Sequence, residues 1–193
     1  QRRVRALRQV RRRVDHVAGV ATGNVGIELR RATPDDAEAV ASIWRDGWRD
    51  GHLGNVPDEL VAARTLESFS SRAAQRVGDT VVFVVDGAVA GFVMVVDDEV
   101  EQVYVSRRHR GTGVAAALLG EAERLVRSNG HERAWLAVVA GNARARRFYE
   151  RMGWTDEGEF DYPAANADST IPVPCLRYVK GLDAASPTPP PPS

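Results

Sequence analysis

Cysteine is almost missing: Cys175 stands alone among 193 residues, which excludes an intrachain disulfide and a cysteine-based zinc cluster. Long apolar runs are missing as well, since none approaches the roughly 20 residues needed to cross a bilayer. The arginine-rich start is not followed by a clean apolar stretch, because Asp15, His16 and Asn24 interrupt it, so a secretory signal is not expected. Neither charge sign is in surplus, with 26 basic and 26 acidic residues. The distribution is uneven, however. Residues 1–13 hold seven Arg and no acid, leaving 19 basic against 26 acidic residues in the remainder. A mildly acidic body is unlike a nucleic-acid-binding surface and leans toward a cationic partner. These absences lead to the expectation of a reducing, cytoplasmic setting with no membrane partner and no metal; a homodimer is compatible with them.

What is present fits one globular domain with short appendages. Hydrophobic residues make up 44% of the chain and charged residues 27%, enough to bury a core without staples. Val4, Leu7, Val10, Val14 and Val17 recur at helical spacing between arginines, and Gly19, Gly23 and Gly26 loosen the link to the rest of the chain. Residues 1–26 therefore read as a basic N-terminal arm or helix, 27–182 as the domain, and 183–193 as a Pro-rich, unpacked tail.

Within the domain the spacing predicts a strand at Ile27 to Arg31, then a helix opened by Thr33-Pro34-Asp35-Asp36 and continuing through Trp44 and Trp48. A second helix is predicted from Asp58 to Arg76. Thr80 to Val85 and Ala88 to Val96 flank Asp86-Gly87, a hairpin signal, and a further strand covers Glu99 to Val105. A long helix is predicted from Gly113 to Ser128, then a strand at Ala134 to Val139 and a helix from Asn142 to Met152. Two late strands are predicted near Thr155 to Tyr162 and Cys175 to Gly181.

The segment richest in chemistry is Arg110-Gly111-Thr112-Gly113-Val114-Ala115, where a strand passes through glycines straight into a helix. Unpaired N–H groups and a partial positive charge at such a helix start suit a diphosphate, and Arg110 adds a cation. The same glycines could simply permit a tight turn. They also satisfy a loose dinucleotide fingerprint, Gly111-x-Gly113-x-x-Ala116. That fold wants an acid closing the next strand, which here ends Val139-Ala140-Gly141-Asn142.

At these residues the sequence resembles the GNAT superfamily of N-acetyltransferases. One part of the likeness is Arg110 to Ala115 coming after Val103-Tyr104-Val105; the other is Asn142-x-x-Ala145-x-x-Phe148-Tyr149-x-x-x-Gly153-Trp154. The resemblance implies an α/β (α+β) fold with a mixed, mostly antiparallel central sheet, helices on both faces, and strands 4 and 5 splayed apart. It implies acetyl-CoA as co-substrate. The backbone of Val103, Tyr104 and Val105 would pair with its pantetheine arm. Gly111, Thr112, Gly113, Val114, Ala115 and Ala116 would hold its diphosphate, with Arg110 at the edge. Asn142 would lie beside the pantetheine or acetyl end, and Tyr149 would protonate the departing thiolate.

Acetyl transfer to an amine also needs a base. Taking a proton from a lysine-like amine at neutral pH costs about 4 kcal/mol, from its pKa near 10.4. Glu99 and Glu101 share a face of their strand and are the two candidates, against the alternative of plain solvent-facing acids. Trp44 reads as core, while Trp48, His52, Asp161 and Tyr162 read as acceptor-side residues. The implied activity is N-acetyl transfer to a primary amine of a small molecule or peptide, without a covalent enzyme intermediate. Two alternatives stay open: an acyl-CoA-binding sensor or partner-binding module without turnover, and a nucleic-acid-associated protein using the arginine arm.

Overall fold

The computed structural model describes residues 26–166 and 169–182; apart from Gly26, the expected basic arm lies outside the described residues, as does the proline-rich tail of 183–193. β1 (Ile27–Arg31) enters α1 (Ala37–His52) through a 3-10 turn at Pro34–Asp36. Asp36 fixes this junction. Its carboxylate accepts the Thr33 N–H at 2.7 Å and both Arg30 terminal nitrogens at 2.6 and 2.9 Å.

α2 (Asp58–Ala63) and α3 (Leu66–Gln75) replace the single helix predicted from Asp58 to Arg76. The chain breaks at Arg64-Thr65, where Thr65 turns extended and its hydroxyl accepts the Ser68 N–H at 3.2 Å. A threonine that caps a new helix looks, in periodicity alone, like one inside a continuing helix.

β2 (Thr80–Val85), β3 (Ala88–Val96) and β4 (Glu99–Val105) form an antiparallel run. Asp86 and Gly87 turn the first hairpin with φ of 50° and 80°, as the Asp-Gly pair predicts. α4 (Val114–Ser128), β5 (Arg133–Val139), α5 (Ala143–Arg151), β6 (Thr155–Asn166) and β7 (Ser169–Gly181) complete the chain. The sheet order is β1-β2-β3-β4-β5-β7-β6, and β4–β5 is its parallel pair. The late hairpin is longer than predicted, because Pro163 faces Pro172 and Pro174 faces Asp161 in its two-stranded end, beyond the reach of β5. There a missing N–H costs no central ladder bond.

Helices cover both faces. α4 buries Leu118, Leu119 and Val126 against Val93, Leu136 and Tyr178, and Phe148 and Tyr149 of α5 and the following Trp154 pack into the same core. α1, α2 and α3 bury Val40, Trp44, Leu60 and Phe69 against Val82, Phe92, Met94 and Val173. Among the described residues, no helix is long and apolar enough to cross a membrane.

Candidate active site

β4 carries an irregularity that shapes everything near it. Met94 faces Gln102 but Val95 faces Val100, leaving Glu101 as an extra residue. The bulge explains how Val100 and Val103, three apart, pack into the same core beneath α4. Strict alternation would send them to opposite faces. Glu99 and Glu101 share a face, as predicted, and it is the one toward α1–α3: Glu99 accepts from Tyr162 and Glu101 from Arg76.

Beyond this point β4 and β5 part. Their register is the single pair Glu99↔Trp135, so the two strands diverge toward their C-terminal ends. A cleft of about 500 Å³ runs along the gap. α1 straddles it through two glycines on one helix face. A Cβ at Gly47 would stand 2.3 Å from Tyr104 Cδ1 of β4, and one at Gly51 would stand 2.7 Å from Asn142 Nδ2 beyond β5. The helix sits this close because both positions lack a side chain.

At one end of the cleft lies the Arg110–Ala115 turn. Gly111 and Gly113 adopt φ of 79° and 95°, and a Cβ on either would meet nothing within 4 Å. These glycines are present for their backbone conformation, and the space before them is open. No side chain caps α4, so the N–H groups at its start have no side-chain acceptor among the described residues. Gly111, Gly113, Ala115 and Ala116 line the cleft. Val114 packs into the core, leaving only its backbone to face a ligand, and the Thr112 hydroxyl donates to the His109 carbonyl at 2.6 Å. Arg107 and Arg110 both donate to Asp50 of α1, each at 2.7 Å.

Val103, Tyr104 and Val105 line the cleft from β4, and Asn142 and Tyr149 from the far side. Asn142 has a structural task as well: its Oδ1 accepts the Ala145 N–H at 3.1 Å and caps α5. Tyr149 packs its ring against Phe148, Trp154 and Tyr178. Its hydroxyl makes no side-chain hydrogen bond among the described residues, where no buried side-chain polar atom lacks a partner. The hydroxyl is therefore open to the cleft. Burial holds its pKa well above that of an ordinary phenol, so it stays protonated. Gly153-Trp154 is structural: Gly153 ends α5 with φ of 83°, and the Trp154 indole N–H donates to buried Glu123 at 3.1 Å.

The two glutamates differ in circumstance. Glu101 lines the cleft, but Arg76 grips both of its oxygens. Glu99 lies behind Tyr162, whose hydroxyl donates to it at 2.9 Å and which does line the cleft. Burial raises the Glu99 carboxyl to about 7, against the opposing pull of that hydrogen bond.

Trp44 is core, as predicted, and it also lines the cleft together with Trp48 and His52. His52 stacks on Trp48 and its Nδ1–H donates to the Trp48 carbonyl at 3.0 Å. Burial lowers its pKa to about 4, leaving a neutral ring at pH 7. Cys175 also lines the cleft, where burial pushes its thiol up to about 11, the wrong direction for a nucleophile. Sequence reasoning missed three charged residues placed here: Arg64 and Arg72 on the cleft wall and Asp50 on Arg110. Each lies far along the chain from the recognisable motifs, and a lone charged residue on or beside an amphipathic helix gives no signal of its own.

Comparison with known proteins bears on the family and the fold. Residues 37–154 match the model of the Acetyltransferase (GNAT) family. Proteins described as uncharacterized N-acetyltransferases from Mycobacterium bovis and Mycobacterium tuberculosis are 35% identical over 78 residues, 38% of this chain and 50% of theirs. The chain thus spans about half the length of the curated relatives it matches. In fold it is similar to a GCN5-related N-acetyltransferase of Rhodopseudomonas palustris, with a TM-score of 0.61, 16% identity, and coverage of 86% of this chain and 100% of that one. It is likewise similar to yncA of Salmonella typhimurium, solved with acetyl-CoA, with a TM-score of 0.60, 20% identity, and coverage of 83% and 96%. At such identities the likeness concerns fold alone. The match over residues 37–154, on a sheet that opens between β4 and β5, places this chain in the GNAT family of acetyltransferases.

Proposed function

We propose that residues 27–182 form an N-acetyltransferase domain that moves the acetyl group of acetyl-CoA directly to a primary amine of a small molecule or peptide. The observation that carries this reading is the uncapped start of α4, behind two positive-φ glycines, opening into the cleft between β4 and β5. In this reading the N–H groups of Gly113 to Ala116 and the Arg110 side chain hold the diphosphate. The backbone of Val103 to Val105 and the Asn142 amide line the arm. Acetyl-CoA supplies the activated acyl group; the protein supplies orientation and two proton movements.

Tyr149, kept protonated by burial, hands its proton to the departing thiolate. On the opposite side, Glu99 receives the amine proton through the Tyr162 hydroxyl, which takes one proton from the amine as it passes its own to the carboxylate. A carboxyl near 7 is well placed for this task, because it is substantially ionised at neutral pH yet still basic. Glu101 is the weaker candidate, since Arg76 already occupies its lone pairs. The raised thiol of Cys175 supports direct transfer without an acyl-enzyme.

The test is to mix the protein with acetyl-CoA and a panel of amines while following free thiol, and to measure CoA affinity by calorimetry. The reading requires amine-dependent thiol release and loss of CoA affinity in Gly113→Glu. Affinity without thiol release across the panel would leave a sensor in its place. Unchanged affinity in Gly113→Glu would put the diphosphate elsewhere.

A further inference from the structure

Of the arginines on the cleft wall that have no part in this scheme, Arg144 and Arg151 are exposed and two are half-buried. Arg64 comes just after α2 and Arg72 sits on α3, and both line the cleft beside Tyr104 and Tyr162. Each uses little of its capacity. Arg64 Nη2 donates to the Ala165 carbonyl of β6 at 2.8 Å, and the Arg72 guanidinium lies 4.8 Å from the centre of the Trp44 ring. Neither forms a salt bridge among the described residues. The nearby acid that could have served is committed elsewhere: Glu101 is held by Arg76, one helical turn after Arg72, and Arg76 also binds Asp79 at 2.7 Å.

This arrangement opposes itself electrostatically. Burial lowers the Arg64 pKa to about 10, and the charge of Arg72 acts in the same direction. Burial likewise lowers that of Arg72. Two half-buried guanidinium groups face one cavity whose lining carboxylate, Glu101, is already held by Arg76, an unfavourable arrangement that an arriving anion would relieve. A guanidinium presents a planar fork of donors that suits carboxylate and phosphate oxygens. Trp48, Leu60, Ala164 and Val173 of the cleft wall are apolar and supply no anion.

We propose that the acceptor amine also carries an oxyanion, a carboxylate or a phosphate monoester, which Arg64 and Arg72 bind on the wall formed by α2, α3 and β6. The proposal rests on the acetyltransferase reading for the word acceptor, but the anion site stands on its own geometry. It narrows the substrate class from amines in general to free amino acids, amino-acid-like compounds and phosphorylated amines, and it disfavours amines with no anionic group.

The experiment compares matched pairs with the full chain: leucine with leucinamide, phenylalanine with phenylalaninamide, and O-phosphoethanolamine with ethanolamine. Thiol release should give a kcat/KM about tenfold or more higher for the anionic member of at least one pair. Arg64→Gln and Arg72→Gln should abolish that preference, and Arg72→Lys, which keeps the charge, should retain part of it. Calorimetry of N-acetyl-leucine against its amide, on CoA-saturated protein, reads the same selectivity without turnover. Equal rates and equal affinities within every pair would overturn the proposal, as would a preference that survives all three variants. A protein that prefers the anionic ligand yet never releases thiol would uphold the anion site and sink the acetyl-transfer reading instead.

Discussion

Asp50 on α1 accepts a 2.7 Å hydrogen bond from Arg110 across 60 residues of sequence, and a second from Arg107, also at 2.7 Å. The helix that straddles the cleft is thereby tied to the turn that would hold the diphosphate. The hydrogen bond from Arg110, and after it that from Arg107, keeps the Asp50 carboxyl below its ordinary range, so it is charged at neutral pH. A fixed carboxylate there both occupies Arg110 and repels an incoming anion. Of these effects and the positioning of Arg110, repulsion should dominate, because a diphosphate brings more charge than the one bond can replace.

Asp50→Asn is therefore expected to bind CoA about threefold to tenfold more tightly, corresponding to about 1 kcal/mol. The gain should shrink as salt rises, since the groups are partly exposed. Calorimetry at two ionic strengths checks this. Weaker binding by the variant would mean that Asp50 positions Arg110 for the ligand.

Tyr149→Phe removes a hydroxyl that holds no protein partner while leaving the ring against Phe148, Trp154 and Tyr178. The melting temperature should hardly move, and CoA affinity should stay within about twofold. The rate constant kcat should fall by about 100-fold or more, the usual reach of one general acid. An unchanged kcat would take Tyr149 out of the chemistry.

The parts of this molecule legible in its sequence are those governed by local rules. The Asp86-Gly87 hairpin, the glycine turn into α4 and the Asn142 start of α5 each declare themselves within a few residues. The helix break at Thr65 stayed hidden, because capping and continuation use the same residue there. Proline made the β6–β7 hairpin look shorter than it is, because only pairing shows that Pro163, Pro172 and Pro174 lie outside the central ladder. The cleft posed the hardest case. Tyr162 under Glu99, Arg76 on Glu101, and the unmatched pair Arg64 and Arg72 are contacts made by the closing of the sheet, which no spacing rule encodes.

Glu99 offers the sharpest test of the base, because stability and activity should move in opposite directions. Its carboxyl rises from an ordinary 4.5 to about 7 in the folded protein. Below the lower value both states hold the proton and nothing is lost. Between the two, the unfolded chain ionises while the folded one resists, so stability falls as pH climbs and the loss is complete above about 7. Glu99→Gln keeps an oxygen for the Tyr162 hydroxyl but cannot ionise. Relative to the wild type it should gain stability between pH 5 and pH 8, on the order of 1–2 kcal/mol once partial exposure of the site is allowed for. Over the same range the wild-type kcat/KM should rise through a limb near 7, measured with an acceptor whose own amine titrates well above pH 8. The variant should lose that limb along with most of its rate, becoming a more stable and poorer enzyme. Persistence of the limb in Glu99→Gln would transfer the role of base to another group. Glu101 could then take the role only by giving up its hold on Arg76.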